Sequence, residues 1–165
     1  MTWFPRTMIA AAFALVATPA LADGHGEATP APKQTLMPDN AEARAFQESV
    51  GYSEAVIHGD TIYLAGVIAA SMEGEESMEP AFERVFAHLD ATLKRLGATW
   101  DDVLVFDTFH NGPMGPQLDA LVPVKNRYIK APFPTWTAVG VTELYEPTAL
   151  VEIRLTLRNP AAASE

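Results

Sequence analysis

From Ala149 to Arg158 the chain alternates in chemistry: Val151, Ile153, Leu155 and Leu157 are aliphatic, while Glu152, Arg154, Thr156 and Arg158 are polar. Successive side chains of a strand point to opposite faces, so this pattern demands a sheet with one covered face. The cover is available nearby. Phe82, Val85, Phe86, Leu89, Leu93 and Leu96 fall at helical spacing on one stripe, with Gly97 as the stop and Glu83, Arg84, Lys94 and Arg95 on the other side. The polar face of the last strand is left for solvent, a partner subunit or a pocket.

The remaining elements follow from shorter signals. Ala55–His58 and Thr61–Ala65 are β-rich runs joined by Gly59-Asp60, a hairpin pattern. Ser77 stands where a helix N-cap would, ahead of Glu79 and Pro80. A strand is predicted over 102–109, a loop over 110–116 and a second helix over 117–129, with Leu118, Leu121, Val122 and Tyr128 inward. Pro123 is expected to shorten or kink that helix. Two strands then close the domain. The order β-β-α-β-α-β-β predicts an α+β domain, one sheet with two helices on one face.

The N-terminus reads differently. Arg6 precedes the apolar run 8–17, and Thr18-Pro-Ala-Leu-Ala22 supplies an Ala-x-Ala end. This is the pattern of a cleaved signal peptide over 1–22; a short membrane anchor or a buried helix is the alternative. Export to the bacterial periplasm is the expectation, with the mature chain starting near Asp23 and no membrane contact after cleavage. Residues 23–44 read as a Pro/Ala-rich flexible tether, 45–159 as the folded domain and 160–165 as a tail. The chain has no cysteine, so an exported domain of this size relies on packing, or on packing plus oligomerisation.

Charge excludes one class of partner. The 165 residues hold 11 Lys+Arg against 21 Asp+Glu, a net of −10, and loss of Arg6 with the signal makes it −11. Without a basic cluster, such a surface repels phosphate backbones, so nucleic acid is not an expected partner.

Four blocks, in order, resemble the Rid family of YjgF/RidA-type imine deaminases: Gly51-Tyr52-Ser53-Glu54-Ala55-Val56; Leu64-Ala65-Gly66-Val67; Leu93-x-x-Leu96-Gly97-Ala98-Thr99-x-Asp101-Asp102-Val103; and Pro134-Thr135-Trp136-Thr137-Ala138-Val139 with Val151-Glu152-Ile153. The resemblance covers most of residues 50–159. It implies the Rid (chorismate mutase-like) fold, a homotrimer with small-molecule pockets between subunits, and hydrolysis of 2-imino acids without metal or cofactor. In that family an arginine holds the substrate carboxylate and a glutamate on the last strand positions water or moves a proton. Glu152 matches the glutamate, and Tyr52 matches the pocket tyrosine. Trp136 stands where the arginine belongs, Ala65 and Val67 replace a serine and a glutamine, and Glu54 replaces another glutamine. An indole cannot grip a carboxylate as a guanidinium does. The implied pocket has lost a cation and gained apolar surface, which suits an aromatic or apolar ligand better than a small anion.

Each candidate has an ordinary structural reading beside the functional one. Trp136 is a pocket wall or a core or interface tryptophan; Glu152 is an acid/base or an ion-pair partner; Tyr52 is a ligand contact or an exposed loop residue. Arg154, on the face of Glu152, replaces the lost cation or forms a salt bridge. His110 lies in the predicted loop with no visible acid or base partner. His58 reads as a turn residue, His88 as surface, and His25 as part of the tether. The histidines have no metal-ligand spacing, and the acidic run 73–76 reads as a solvated loop. Two functions stand at this level. One is an exported Rid protein that binds a small molecule, its 2-imino acid deaminase activity lost or redirected. The other is an active hydrolase of an unusual imine or enamine, with Glu152 as acid/base. Cleavage of single-stranded RNA, ascribed to some relatives, is opposed by the charge.

Overall fold

The computed structural model of the chain describes residues 32–164. The predicted signal peptide, 1–22, and the first part of the predicted tether lie outside the described residues. The strands are β1 (Gln34–Leu36), β2 (Ala55–His58), β3 (Thr61–Leu64), β4 (Val67–Ala70), β5 (Val103–Asn111), β6 (Thr135–Val141) and β7 (Ala149–Arg158). The helices are α1 (Ala41–Val50), α2 (Glu79–Arg95) and α3 (Met114–Tyr128). All seven strands form one sheet, in the order β1-β2-β3-β7-β5-β6, with β4 also paired to β7.

β7 is the hub of that sheet. One edge pairs antiparallel with β5. The other pairs with β3 through Thr156–Arg158 and with β4 through Ala149–Ile153, so Ala65-Gly66 interrupts what is otherwise one neighbouring strand. The alternation read from sequence holds: Val151, Ile153, Leu155 and Leu157 are fully buried. They meet the α2 stripe, in which Phe82, Val85, Phe86, Leu89 and Leu93 are buried, and Leu121 and Val124 of α3. Phe86 stacks on Trp100 and on Tyr128, with centroids 5.5 and 5.2 Å away, which ties the two helices to the turn before β5.

Several boundaries differ from expectation. Residues 34–44, assigned from sequence to the tether, carry β1 and the start of α1. Side chain and cap chemistry explain why they are ordered: Asn40 Oδ1 accepts from the Ala43 amide at 2.9 Å, and Gly51 ends the helix at φ 89°. Arg95 of α2 then holds the segment down, donating to Met37 O at 2.6 Å and pairing with Asp39 at 3.0 Å. The same guanidinium binds Glu54 at 2.7 Å, whose other oxygen accepts from Thr92 Oγ1 at 2.8 Å.

Met78 rather than Ser77 precedes α2, without a side-chain cap, and Pro80 in the first turn starts the helix. α3 begins at Met114 and continues through Pro123. Pro123 and Asp119 both lie on the exposed side, where water can satisfy the carbonyl that proline leaves without its donor. β4, unmarked in the sequence reading, forms because β7 offers a free edge beyond Gly66.

Arg95 is the bolt between the N-terminal segment and α2. Arg95→Ala leaves Glu54 buried without its cation, and should destabilise the domain by about 3 kcal/mol, the low end for a broken buried pair. Urea unfolding measures it, and limited proteolysis should show β1 and α1 cleaved first.

Candidate functional site

Glu152 leaves β7 on the face away from α2 and α3, between Ile68 of β4 and Phe109 of β5, its cross-strand partners. Its carboxylate lies directly on Gly66. A Cβ built on Gly66 would fall inside the van der Waals radius of Glu152 Oε1, so the missing side chain at 66 makes the room for that carboxylate. Glu152 has no ion-pair or side-chain hydrogen-bond partner among the described residues. Arg154, two residues on, pairs with Asp107 across the strands at 2.8 Å and lies over the Phe109 ring at 5.6 Å.

A cavity of about 470 Å³ opens over Glu152, walled by Phe46, Val50, Tyr52, Ile68 and Tyr145. Phe46 and Tyr52 meet edge to face at 6.4 Å. Its other carboxylate, Glu146, accepts from the Thr148 hydroxyl at 3.0 Å, and no Lys or Arg lines it. A second cavity of about 400 Å³ shares Tyr52, Ala65, Gly66 and Ile68 and runs past Val67 toward Arg95. Gln47 Oε1, on its wall, is buried without a donor among the described residues. Tyr52, Val67 and Glu152 are thus brought to the Gly66 kink. The sequence reading missed Phe46, Val50 and Gln47 because it began the domain at residue 45 without a helix. It missed Tyr145, 90% exposed, because nothing in its surroundings marks it.

Trp136 is elsewhere. β6 runs parallel to β5 with Trp136 opposite Phe106, a buried core residue. Paired residues share a face, so Trp136 stands on the helix side of the sheet, edge-on to Phe106 at 5.7 Å and beneath Lys125 of α3, whose Nζ is 5.2 Å from the ring. Glu152 is on the opposite face. Within one chain, Trp136 therefore does not join a common site with Glu152, and Arg154, though on the same face as Glu152, is held by Asp107 and does not line the cavity.

A directional hydrogen-bond chain explains where the indole sits. Trp136 Nε1 donates to Thr108 Oγ1 at 3.0 Å, and the Thr108 hydroxyl has two acceptors in reach, His110 Nε2 at 2.9 Å and Thr137 O at 3.5 Å, the ring nitrogen being the nearer. His110 Nδ1 then carries the proton and donates to Gln117 Oε1 at 3.0 Å, and Gln117 Nε2 donates to Asn111 O at 2.7 Å. His110 is not in a loop: β5 extends through Asn111 and buries it completely. His88 is exposed, as read, and His58, read as a turn residue, is the exposed last residue of β2.

Burial pushes His110 below its ordinary 6.5, with the Gln117 bond acting in the opposite sense. The folded state thus prefers the neutral ring, and the unfolded chain binds the proton more readily. Stability from this group is complete above about 6.5 and declines as pH falls below it. His110→Gln should flatten the stability profile between pH 6.5 and 5, measured by urea unfolding across that range.

The chain is thus an α+β sheet with α2 and α3 on one face and a cavity beside an unpaired carboxylate on the other. The chain belongs to the Rid (YjgF/RidA) family: the family model described as Endoribonuclease L-PSP matches residues 42–158. It is similar to the RutC family protein YjgH of Escherichia coli K12, 38% identical over 98 residues that cover 56% of this chain and 72% of that protein. It is 30% identical to the 2-iminobutanoate/2-iminopropanoate deaminase of Dermatophagoides farinae over 106 residues, 62% of this chain and 80% of that one. A solved Mycobacterium tuberculosis member of the YjgF/YER057c/UK114 family superposes with a TM-score of 0.64, covering 77% of this chain and 99% of its own, and at 21% identity it speaks for the fold alone.

Proposed function

We propose that this is an exported, periplasmic Rid protein that binds a small apolar molecule beside Glu152, with hydrolysis of 2-imino acids lost or redirected. One observation carries the reading: Glu152 faces a cavity of aromatic and aliphatic walls in which no cation lines the surface. A 2-imino acid brings a carboxylate to that surface, where it meets Glu152 and Glu146 and no counter-charge. An apolar or aromatic molecule loses nothing there and gains the burial of Phe46, Tyr52 and Tyr145.

A homotrimer belongs to the proposal. β6 is exposed along almost its whole length and has a free edge, and the open face of the sheet carries Tyr63 and Ile68 uncovered. Such surfaces call for a partner. Packing β6 of one subunit against the Glu152 face of the next is also the way Trp136 reaches Glu152, since one chain holds them on opposite faces.

A second reading rests on Glu152 itself. A carboxylate free of ion pairs and held against a backbone kink is able to accept a proton from water, and one relative is named a 2-iminobutanoate/2-iminopropanoate deaminase. On that reading the chain hydrolyses an unusual imine or enamine.

Release of pyruvate from freshly generated 2-iminopropanoate tests the first reading. The wild-type chain should give the no-protein rate, and Trp136→Arg should gain activity. Acceleration by wild type that falls about a hundredfold or more in Glu152→Gln, with Gly66→Ala matching it by displacing the carboxylate, would overturn the first reading and make the chain an ordinary 2-imino acid deaminase with Glu152 as acid/base.

A further inference from the structure

Trp136 is seated through a buried histidine two bonds away. Thr108 Oγ1 stands between the two side chains, accepting from Trp136 Nε1 at 3.0 Å and lying 2.9 Å from His110 Nε2. Thr108 and His110 are fully buried and Gln117 is nearly so. Gln117 Nε2 closes the far end on Asn111 O at 2.7 Å, so the polar atoms of this row are committed to one another.

The direction of the row depends on one proton. With His110 neutral, Nδ1–H donates to Gln117 Oε1 and Nε2 accepts from the Thr108 hydroxyl. A hydroxyl that donates to a good acceptor becomes a better acceptor itself, so the bond from Trp136 is strongest in this state. A second proton on the ring goes to Nε2, because Nδ1 already carries one. Nε2 then donates to the same Thr108 oxygen, and the hydroxyl hydrogen has to leave that line. The other acceptor in its reach among the described residues is Thr137 O at 3.5 Å, the outer limit for such a bond. Thr108 Oγ1 now takes two donors while its own donation is poor. The cationic donor holds the larger share, and the indole N–H is the one weakened.

No fixed charge faces the ring to mask that proton. β6 and β7 set Gly140 and Val151 beside His110, and α3 brings Gln117 to it. Asp107 and Glu152, the carboxylates next along β5 and β7, leave their strands on the opposite face. None of the charged residues of α2 is buried, nor is Asp119, Lys125 or Arg127 of α3.

We infer that His110 and Thr108 are positioning residues that make the seating of Trp136 depend on pH: the indole is held while His110 is neutral and loosened when the ring gains a proton. The group in the arginine's place is thus governed from inside the sheet. The coupling lies within one chain. Its effect on a ligand rests on the proposed trimer, in which the indole reaches Glu152 of the next subunit and acid loosens that wall of the cavity.

The test is an NMR titration of the full chain from about pH 7.5 to about 5, across the range in which histidine changes charge, with the indole N–H signals followed. Trp136→Phe identifies the Trp136 signal. Trp100 is the internal reference, since its Nε1 donates to Asp90 at 3.0 Å and Lys94 holds that carboxylate below the ordinary range. The Trp136 signal should move upfield along one titration curve that shares its midpoint with the carbon-bound ring protons of His110, while Trp100 stays in place. Thr108→Val should leave His110 titrating and remove its imprint on Trp136. Thr108→Ser should keep the imprint, and His110→Gln should abolish it. A Trp136 signal that does not titrate overturns the coupling, as does one that still follows His110 in Thr108→Val or still titrates in His110→Gln. No ligand enters the measurement, so its failure leaves the reading of the Glu152 cavity standing.

Discussion

Four aliphatic side chains on one edge-to-edge strand, Val151, Ile153, Leu155 and Leu157, are fully buried, and the placement of the other elements answers to them. A strand at the centre of a sheet cannot leave such a face in water, at roughly 1.5–3 kcal/mol for each side chain of this kind. α2 and α3 are the only long helices with buried stripes among the described residues, and both take that face. Because β7 needs partners along both edges, β5 runs along one while β3 and β4 share the other. Their junction at Gly66 follows from that sharing, and the Glu152 carboxylate occupies the space that the junction leaves. Core and site are opposite consequences of one alternation.

The same geometry separates the two residues that the motif placed together. Trp136 and Glu152 lie on different faces because their strands both register with β5 on known partners, Phe106 for the first and Phe109 for the second. Phe106 and Phe109 are an odd number of residues apart and point in opposite directions. No side-chain rotation brings an indole through the sheet. A site containing both, as the motif implies, must draw them from two subunits, and that is the strongest physical argument for the proposed oligomer.

Sequence made the core legible and the site only in part. The α2 stripe, the β2–β3 hairpin and the β7 alternation are local periodicities over four to fifteen residues, the range in which pattern decides structure. α1 escaped because none of its residues is buried: Phe46 and Val50 face the cavity, so there was no inward stripe to read. β4 escaped because its pairing partner, β7, is some eighty residues away, and a four-residue run has no period of its own. His110 looked like a loop residue amid Gly112, Pro113 and Pro116, yet its hydrogen-bond partners are Thr108 and Gln117, which sequence shows as unremarkable polar residues. Only the motif pointed to Glu152 and Tyr52, and only the coordinates pointed to Lys125.

Lys125 bears on what replacing arginine by Trp136 means chemically. An arginine in that place holds its own charge and can swing; a tryptophan bonded to Thr108 cannot. The indole gives up the charge but, through its negatively charged ring face, holds a neighbouring ammonium nearby. Lys125 of α3 thus stands against the indole ring between apolar walls. Charge in such walls is weakly screened, so one lysine there attracts an anion more strongly than the same lysine on an exposed helix.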